Sequence, residues 1–344
     1  MAQDLKDRTL GELEHLVLEL GQRKYLAGYI FSFIHRRGIT DISQISPLSK
    51  EFRRRLAEQG CYISRPGKVQ TLEDPDGTIK YLFELENGNR IEAVLLSDDD
   101  RKTVCISTQA GCAMNCGFCA TGRLRLRRNL SAAEIVDQVG RIRRDKHRIG
   151  SVVYMGMGEP LENYDAVVRS ANILNHPDGY NIGIRHITIS TCGIPPAIER
   201  LAGENIHPRL AVSLNAPANP LRTKLMPINK KYPIESVLRA VKAYQLKTKR
   251  RVTFEYVLIK GFNDSTTQAR LVAKLVAGVR CNINLIEFNP HPGCQFAASD
   301  KKVIGRFAET LRAAGIETTV RYKKGRKIKA ACGQLGADLL GSGR

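Results

Sequence analysis

Short apolar runs alternate with helical stretches over most of the chain. Strand-like runs are predicted at 104–108, 152–157, 186–191, 210–214, 252–259 and 283–288. Apolar residues at helical spacing predict helices between and after these runs, at roughly 131–147, 163–175, 195–203, 234–247, 266–277 and 301–314. This alternation indicates parallel βαβ units, and therefore either a doubly wound sheet or a complete or partial barrel.

The N-terminal part of the chain follows other patterns. Leucines at helical spacing between 10 and 20, and a second apolar run between 25 and 33, predict a small helical cap. Alternating polar and apolar positions on either side of Glu86-Asn87-Gly88 predict strands at 81–85 and 90–96 joined by a turn. We therefore expect a helical accessory domain at 1–65, a β-hairpin extension at 66–100 and a main α/β domain at 101–344.

The charge balance adds an expectation about partners. The 344 residues include 54 Lys and Arg against 34 Asp and Glu, a formal net charge of +20. A basic excess of this size favours nucleic acid through phosphate contacts, although a basic enzyme without such a partner has a similar charge. No apolar stretch approaches the roughly 20 residues of a membrane span, and the start has no basic-then-apolar leader. We expect a soluble, cytoplasmic protein without membrane contact.

Three of the nine cysteines form a Cys-x3-Cys-x2-Cys loop, with Cys112, Cys116 and Cys119, after the first predicted strand of the main domain. Cytosolic reductants keep thiols free, so cysteines in such a chain favour metal binding or catalysis over disulfides. A [4Fe–4S] cluster normally has four cysteine ligands; three leave one iron open, and in radical enzymes that iron binds S-adenosylmethionine. A structural zinc site with Cys105 as the fourth ligand is the alternative, but such sites usually combine two Cys-x2-Cys or Cys/His pairs.

Small or polar residues stand at the ends of four other predicted strands. These ends are Met155-Gly-Met-Gly-Glu-Pro160, Ser190-Thr191, Ser213-Leu-Asn215 and Asn289-Pro290. Each of them alone also fits a helix cap or a turn. Barrel enzymes place their sites at this edge of the sheet, so four such ends favour a site that binds ribose, carboxylate or ammonium groups.

Four motifs together resemble the radical S-adenosylmethionine RNA adenine methyltransferases of the RlmN and Cfr type, over nearly the whole chain. They are Ser107-x-Gln109-x-Gly111-Cys112-x3-Cys116-x2-Cys119-x-Thr121-Gly122, Met155-Gly-Met-Gly-Glu-Pro160, Leu225-Met-Pro-Ile-Asn229 and Ala330-Ala-Cys-Gly-Gln-Leu335. The cluster loop alone indicates the superfamily, whereas the last motif together with Cys105 indicates this family. The resemblance implies a partial (β/α)6 barrel, one [4Fe–4S] cluster and two molecules of S-adenosylmethionine per turnover.

The resemblance also implies roles for individual residues. Cys332 would carry a methyl group, Cys105 would release the product by forming a disulfide with Cys332, and Glu92 would transfer a proton near the adenine. Without the resemblance, a strand cysteine is more often a small buried apolar residue, and Glu92 is a solvated carboxylate. The residues that map onto S-adenosylmethionine contacts are Gly158, Glu159, Ser190, Ser213, Leu214, Asn215 and Asn289.

The implied substrate is an adenosine in the peptidyl-transferase region of 23S rRNA, methylated at C2. A tRNA anticodon-loop adenosine is the possible second substrate, an electron donor such as flavodoxin is an expected partner, and the enzyme is expected to be a monomer. Basic runs at 123–128 and 321–329 flank the motifs and are candidate phosphate contacts, or else a solvated surface.

Lys327 and Lys329 depart from the family, whose members commonly have an acidic residue before the last motif, and this departure bears on substrate choice. Three alternatives remain open. They are C8 methylation of the same base, a radical enzyme acting on a protein or small molecule, and a zinc-containing RNA-binding protein.

Overall fold

The N-terminal part of the chain folds into short helices. The computed structural model describes residues 2–340, apart from 66, 68, 99, 100, 146, 322 and 323. Its first elements are strand β1 (Gln3–Asp4), helices α1 (Leu10–Glu19), α2 (Leu26–His35) and α3 (Lys50–Glu58), and strand β2 (Cys61–Tyr62), which pairs in parallel with β1. Thr9 and Glu12 form a capping box that satisfies the free N–H groups of the first turn of α1. The predicted N-terminal helices are therefore present.

One open sheet organises the rest of the fold. Its strands are β3 (Val69–Glu73), β4 (Ile79–Glu84), β5 (Arg90–Asp98), β6 (Arg101–Cys105), and, after a separate pair β7 (Gln109–Ala110) and β8 (Arg128–Asn129), β9 (Ser151–Tyr154), β10 (Ile187–Thr191), β11 (Arg209–Ser213), β12 (Val252–Leu258), β13 (Cys281–Glu287) and β14 (Thr318–Arg321). The order in the sheet is β14-β13-β12-β11-β10-β9-β6-β5-β4-β3.

The strand order distinguishes between the two architectures that the sequence left open. From β6 to β14, each strand of the sheet lies parallel to the one before it in the chain. A doubly wound sheet reverses its order at a switch point, and this sheet does not. The α/β fold is therefore a partial barrel, as predicted, and it is open at β3 and β14.

Helices connect the parallel strands and cover the sheet. They are α4 (Ala120–Arg123), α5 (Ala132–Arg144), α6 (Tyr164–Asn175), α7 (Pro195–Leu201), α8 (Asn219–Leu225), α9 (Ile234–Thr248), α10 (Thr266–Leu275) and α11 (Lys301–Ala313). Ile189, Val212 and Phe254 on the central strands are fully buried, as expected where helices cover a parallel sheet. No helix in the described part of the chain is both long and apolar enough to cross a bilayer.

The large sheet contains two strands that the sequence did not predict. Strand β3 pairs antiparallel with β4, and β14 is a seventh parallel strand beside β13. Both are edge strands with largely polar or exposed side chains. Because backbone hydrogen bonds hold them in the sheet, their sequences lack the regular spacing of apolar residues that predicts a strand. The expected hairpin is thus part of a three-stranded antiparallel unit, which joins the core through β5 and β6. The proposed domain boundaries at 65 and 100 stay predictions.

Candidate active site

The three-cysteine loop is closed at its base by the β7–β8 pair. Gly111, at the start of the loop, has a φ of 83°, and a Cβ there would lie 2.1 Å from the carbonyl oxygen of Arg125, so this turn requires glycine. The Gly117 N–H donates to the Leu225 carbonyl at 2.9 Å, and the Ala120 N–H donates to the Gly333 carbonyl at 2.8 Å. The loop is therefore attached both to α8 and to the C-terminal segment.

A cavity lies where the parallel strands end, a place where small-ligand sites commonly occur. Cys112, Cys116 and Cys119 all line it. The predicted cofactor-binding residues that also line it are Gly158, Glu159, Ser190, Ser213 and Asn215. We call this the cluster cavity. It brings the cysteine loop together with three of the four other strand ends that the sequence singled out, and Asn289, of the fourth, does not line it.

The three cysteines suit a cluster better than a single ion. Among the described residues, no three or more His, Cys, Asp or Glu side chains converge on the position of one metal ion. In a cubane cluster each cysteine binds a different iron, so the sulfurs need to share a cavity but not a single point. Burial raises the pKa of all three thiols. Ligation, which requires thiolates, must therefore supply the energy of deprotonation.

Glu159 connects the ends of two neighbouring strands. Its carboxylate accepts from the Cys192 N–H at 2.7 Å and from the Leu161 N–H at 3.0 Å. Burial raises its pKa, against the effect of these two bonds. The preceding Gly158 has a φ of 101°, and a Cβ there would lie 2.6 Å from the Gln109 Cβ. Glycine thus permits the loop after β9 to pack closely against the first loop.

Glu255, in β12, also lines the cluster cavity, and sequence reasoning missed it. It is buried, and its Oε1 accepts from the Asn284 Nδ2 at 2.9 Å, whereas its Oε2 has no hydrogen-bond partner in the described part of the chain. Burial raises the pKa of this carboxyl, and Arg321 opposes the effect. A carboxylate in the middle of an apolar strand was the available signal. The orphaned oxygen fits a cavity that receives a cationic ligand such as an amino group.

Arg222, in α8, is fully buried and was also missed. Its guanidinium donates to the carbonyl oxygens of Cys192 at 2.5 Å and Ser213 at 3.0 Å, and its Nε donates to that of Leu214 at 3.1 Å. Burial lowers the pKa of Arg222. One side chain therefore ties the loop after β10 to the end of β11.

A second cavity adjoins the first. Its lining includes Cys105, Asn289 and Arg321. Cys332, Met155 and Ile286 line both cavities. We call the second one the cysteine cavity. Asn289 lines the cysteine cavity and not the cluster cavity. Leu214 is buried and is not among the described residues that line either cavity. Their predicted contacts with S-adenosylmethionine stay predictions.

The segment that carries Cys332 is held by three hydrogen bonds to two parts of the fold, the loop after β13 and helix α4. Asn289 Nδ2 donates to the Cys332 carbonyl at 3.1 Å, Gln334 Nε2 donates to the Pro290 carbonyl at 2.8 Å, and Thr121 Oγ1 donates to the Leu335 carbonyl at 2.6 Å. The Cys332 side chain is exposed and faces the two cavities that it lines. The segment is thus fixed while its thiol stays accessible.

All nine cysteines are free thiols. Burial raises the pKa of both Cys105 and Cys332, and each thiol is influenced by neighbouring sulfur: Cys105 by Cys332, and Cys332 by Cys119. Both are therefore protonated at neutral pH in the protein alone. Any reaction of either sulfur as a nucleophile has to begin with loss of a proton.

Glu92 lies beneath the C-terminal segment, outside the described lining of both cavities. Its Oε2 accepts from the Gly336 N–H at 2.9 Å, and its Oε1 lies 3.2 Å from the Nζ of buried Lys80. Burial raises its pKa more than Lys80 lowers it. Val94 pairs with Cys105, and Glu92 lies two residues before Val94 on the same face of β5. Glu92 therefore lies on the same face of the sheet as Cys105 and supports the segment that carries Cys332.

The basic residues near the site have mixed environments. Lys329 pairs with Asp338 at 2.6 Å, and Asp338 also pairs with Lys80 at 2.7 Å. Asp338 thus supplies an acidic partner for Lys329. In the first basic run, Arg128 pairs with Glu134 at 2.6 Å. Tyr322 and Lys323 of the second run lie outside the described residues.

Comparison with known proteins agrees with this fold. Residues 106–271 match the family model of the Radical SAM superfamily, and residues 3–62 match that of the ribosomal RNA large subunit methyltransferase N-terminal domain. The barrel and its three-cysteine loop place the chain in the class of radical S-adenosylmethionine enzymes, which the superfamily match supports.

The chain belongs to the RlmN family. It is 45% identical over 337 residues to the dual-specificity RNA methyltransferase RlmN of Syntrophobacter fumaroxidans, covering 97% of this chain and 98% of the relative. It is 46% identical over 337 residues to the probable dual-specificity RNA methyltransferase RlmN of Dictyoglomus thermophilum, covering 97% and 96%. A crystal structure of a radical SAM methyltransferase from Sphaerobacter thermophilus superposes with a TM-score of 0.90 at 45% identity, covering 97% and 99%.

Proposed function

We propose that this chain methylates C2 of an adenosine in the peptidyl-transferase region of 23S rRNA, through a methyl group carried on Cys332. An adenosine in the tRNA anticodon loop is the proposed second substrate. The observation that carries the proposal is that Cys332 lines both cavities, while Cys105 lines the cysteine cavity. A side chain in that position can receive a group on one side and deliver it on the other.

The cluster cavity fits the expected cofactors. Cys112, Cys116 and Cys119 would hold the [4Fe–4S] cluster, and Glu255 offers an unpaired carboxylate oxygen to a cationic group. When bound, the cluster and S-adenosylmethionine supply a 5′-deoxyadenosyl radical, a species that side chains cannot generate. Gly158, Glu159, Ser190, Ser213 and Asn215 would line the bound S-adenosylmethionine.

Cys332 and Cys105 have distinct proposed roles. The Cys332 sulfur loses its proton and accepts a methyl group from one S-adenosylmethionine. The carbon of that methyl group then loses a hydrogen atom. The resulting carbon radical adds to C2 of adenine, which joins protein and RNA, and the adduct then gives up the C2 proton and one electron, which would return to the bound cluster. Cys105 attacks the Cys332 sulfur, and the sulfur–carbon bond breaks with its electron pair moving to the carbon, which takes up a proton to complete the methyl group. External thiols then reduce the resulting disulfide. Glu92, on the same face of the sheet as Cys105, is the proposed proton-transfer group.

The charge of the molecule supports an RNA substrate. Arg321 lines the cysteine cavity, and Arg123, Arg125 and Arg127 are exposed beside the cluster loop. Guanidinium groups bind phosphates by paired hydrogen bonds. A base must leave its stack to reach a buried reactive carbon, and flanking phosphate contacts hold the strand while it does so. We place this reaction in the cytoplasm, with a monomeric enzyme and an electron donor such as flavodoxin.

The test compares cysteine variants of anaerobically reconstituted protein. Wild type, Cys332→Ala, Cys105→Ala and the control Cys281→Ala would receive reductant, S-adenosylmethionine and unmodified 23S rRNA, followed by nucleoside mass analysis. Cys281 stands at the opposite end of β13 from the cavities. We expect 2-methyladenosine from wild type and control, none from Cys332→Ala, and a covalent protein–RNA adduct from Cys105→Ala.

The outcomes separate the alternatives. 8-Methyladenosine in place of 2-methyladenosine would contradict the C2 assignment but keep the mechanism. Cleavage of S-adenosylmethionine without RNA methylation would contradict the substrate and favour a protein or small molecule. Equal methylation by Cys332→Ala and wild type would contradict the methyl-carrying role of Cys332.

A further inference from the structure

A separate polar cavity lies between the N-terminal helices and the barrel, away from the cysteines. Its described lining contains Arg36 and Arg37, at the end of α2, and Arg143 and Arg144, at the end of α5. All four are exposed, and none has an ion pair within the described part of the chain. We call this the arginine cavity.

The side chains that line the arginine cavity carry a net positive charge. Two other charged residues line it, Lys6 and Asp137, and they neutralise each other because the Lys6 Nζ lies 2.8 Å and 3.0 Å from the two carboxylate oxygens of Asp137. The four arginines remain. A Cβ on Gly38 would lie 3.8 Å from the Arg144 Nη1, so Arg144 extends from α5 across to the turn after α2. Guanidinium groups from two elements therefore surround one space.

His35 provides the second observation. Its side chain is 3% exposed and lines this cavity, yet neither ring nitrogen has a hydrogen-bond partner among the described residues. Burial, with Lys6 and His176 nearby, lowers the pKa of His35 to about 3. The ring is therefore neutral at neutral pH and carries one N–H donor. A buried donor without an acceptor is uncommon in folded proteins, and a ligand oxygen in the cavity would satisfy it.

We propose that the arginine cavity binds a phosphate group, with the guanidinium groups of Arg36, Arg37, Arg143 and Arg144 around it and His35 donating to one of its oxygens. The planar forks of arginine match phosphate oxygens in pairs. Four positive charges exceed what one phosphate neutralises, which favours a polymer with neighbouring phosphates. We therefore assign the phosphate to an RNA backbone. This assignment rests on the proposed function, whereas the phosphate site itself does not.

The test uses full-length protein and two probes. The double variant Arg143→Gln/Arg144→Gln is matched by Lys301→Gln/Lys302→Gln, which removes the same charge from two exposed lysines at the start of α11. The first probe is inorganic phosphate, followed through the imidazole NMR signals of histidine-labelled protein, with His35 assigned by its loss in His35→Phe. The second is oligouridylate, which contains no adenine to methylate, in binding titrations at several salt concentrations.

We expect phosphate to shift the His35 signal in wild type and in the lysine variant, but not in the arginine variant. We expect oligouridylate to bind the arginine variant about tenfold more weakly, and the slope of log affinity against log salt to fall by about 1.4 for two lost phosphate contacts. The lysine variant should keep the wild-type slope. Neither readout uses methylation, so a failure here and a failure of the proposed function are distinguishable.

Each other result decides a part of the inference. A phosphate-dependent His35 shift with unchanged oligouridylate binding would keep the phosphate site but assign it to a free phosphate-bearing molecule. If phosphate leaves the His35 signal unchanged, the phosphate site is overturned. A loss of RNA affinity confined to the arginine variant would then mean that RNA binds these arginines as an open basic surface. Equal losses in the arginine and lysine variants would overturn both claims.

Discussion

Replacing Arg222 tests how the strand ends of the active site are held together. The fully buried guanidinium donates to backbone carbonyls after β10 and at the end of β11. The Arg222→Met variant removes the charge and all the donors while keeping a long side chain. We expect this variant to be much less stable, because the carbonyl groups stay buried but lose their partner.

The magnitude follows from the contacts. Three carbonyl oxygens and the Asn229 Oδ1 lose donors that lie between 2.5 Å and 3.1 Å away. An unpaired buried acceptor costs about 1–3 kcal/mol. Removing the charge recovers part of this, since the lowered pKa of Arg222 indicates a desolvation cost. We expect a loss of about 3–5 kcal/mol in the free energy of unfolding, a large share of the roughly 5–15 kcal/mol typical of domains.

Urea denaturation of the reduced protein, followed by far-UV circular dichroism, measures this loss. Arg222→Lys should fall between wild type and Arg222→Met, since lysine keeps the charge but lacks the planar fork. Arg200→Met is the matched control, because Arg200 is exposed and pairs with Asp165 on the surface at 2.6 Å; its midpoint should equal that of wild type. If Arg222→Met and Arg200→Met unfold at the same urea concentration, Arg222 does not hold the strand ends.

Three further predictions concern Glu255, Glu92 and His35. Glu255→Gln should weaken S-adenosylmethionine binding to the reconstituted protein by about tenfold to a hundredfold, the worth of one charge-assisted hydrogen bond; equilibrium dialysis measures this, and unchanged affinity would contradict the role of the unpaired Oε2. Glu92→Gln keeps an acceptor for the Gly336 N–H, so it should block RNA methylation but not Cys332 methylation in mass analysis, whereas Glu92→Ala should impair both; full activity of Glu92→Gln would exclude proton transfer by Glu92. The pKa of His35 is lowered to about 3 in the folded state, whereas the unfolded chain binds this proton near pH 6.5. Stability is therefore lost as the pH falls from about 6.5 towards 3, and the loss is about 2 kcal/mol at pH 5. Urea midpoints of His35→Phe should lack this part of the pH dependence, while His15→Phe, at an exposed position in α1, should retain it.

The sequence predicted the fold class and the cluster loop correctly because both are local patterns. The period of apolar residues predicts β12 and α9 within a few residues of their bounds. The spacing of Cys112, Cys116 and Cys119 places three thiols on one turn. Strands β3 and β14 were missed because an edge strand is held by backbone pairing, which leaves little mark on side-chain pattern.

The sequence by itself therefore determined the alternation of strands and helices, the cysteine loop and the polar strand ends, and the resemblance to a family favoured a partial barrel over a doubly wound sheet. Only the tertiary structure decided that Cys332 lies between two cavities, that Glu92 supports its segment, and that His35 faces a cavity lined by four arginines. The reason is that these contacts join residues far apart in the chain. Their distances and their burial depend on how distant elements pack, and no short-range pattern records that.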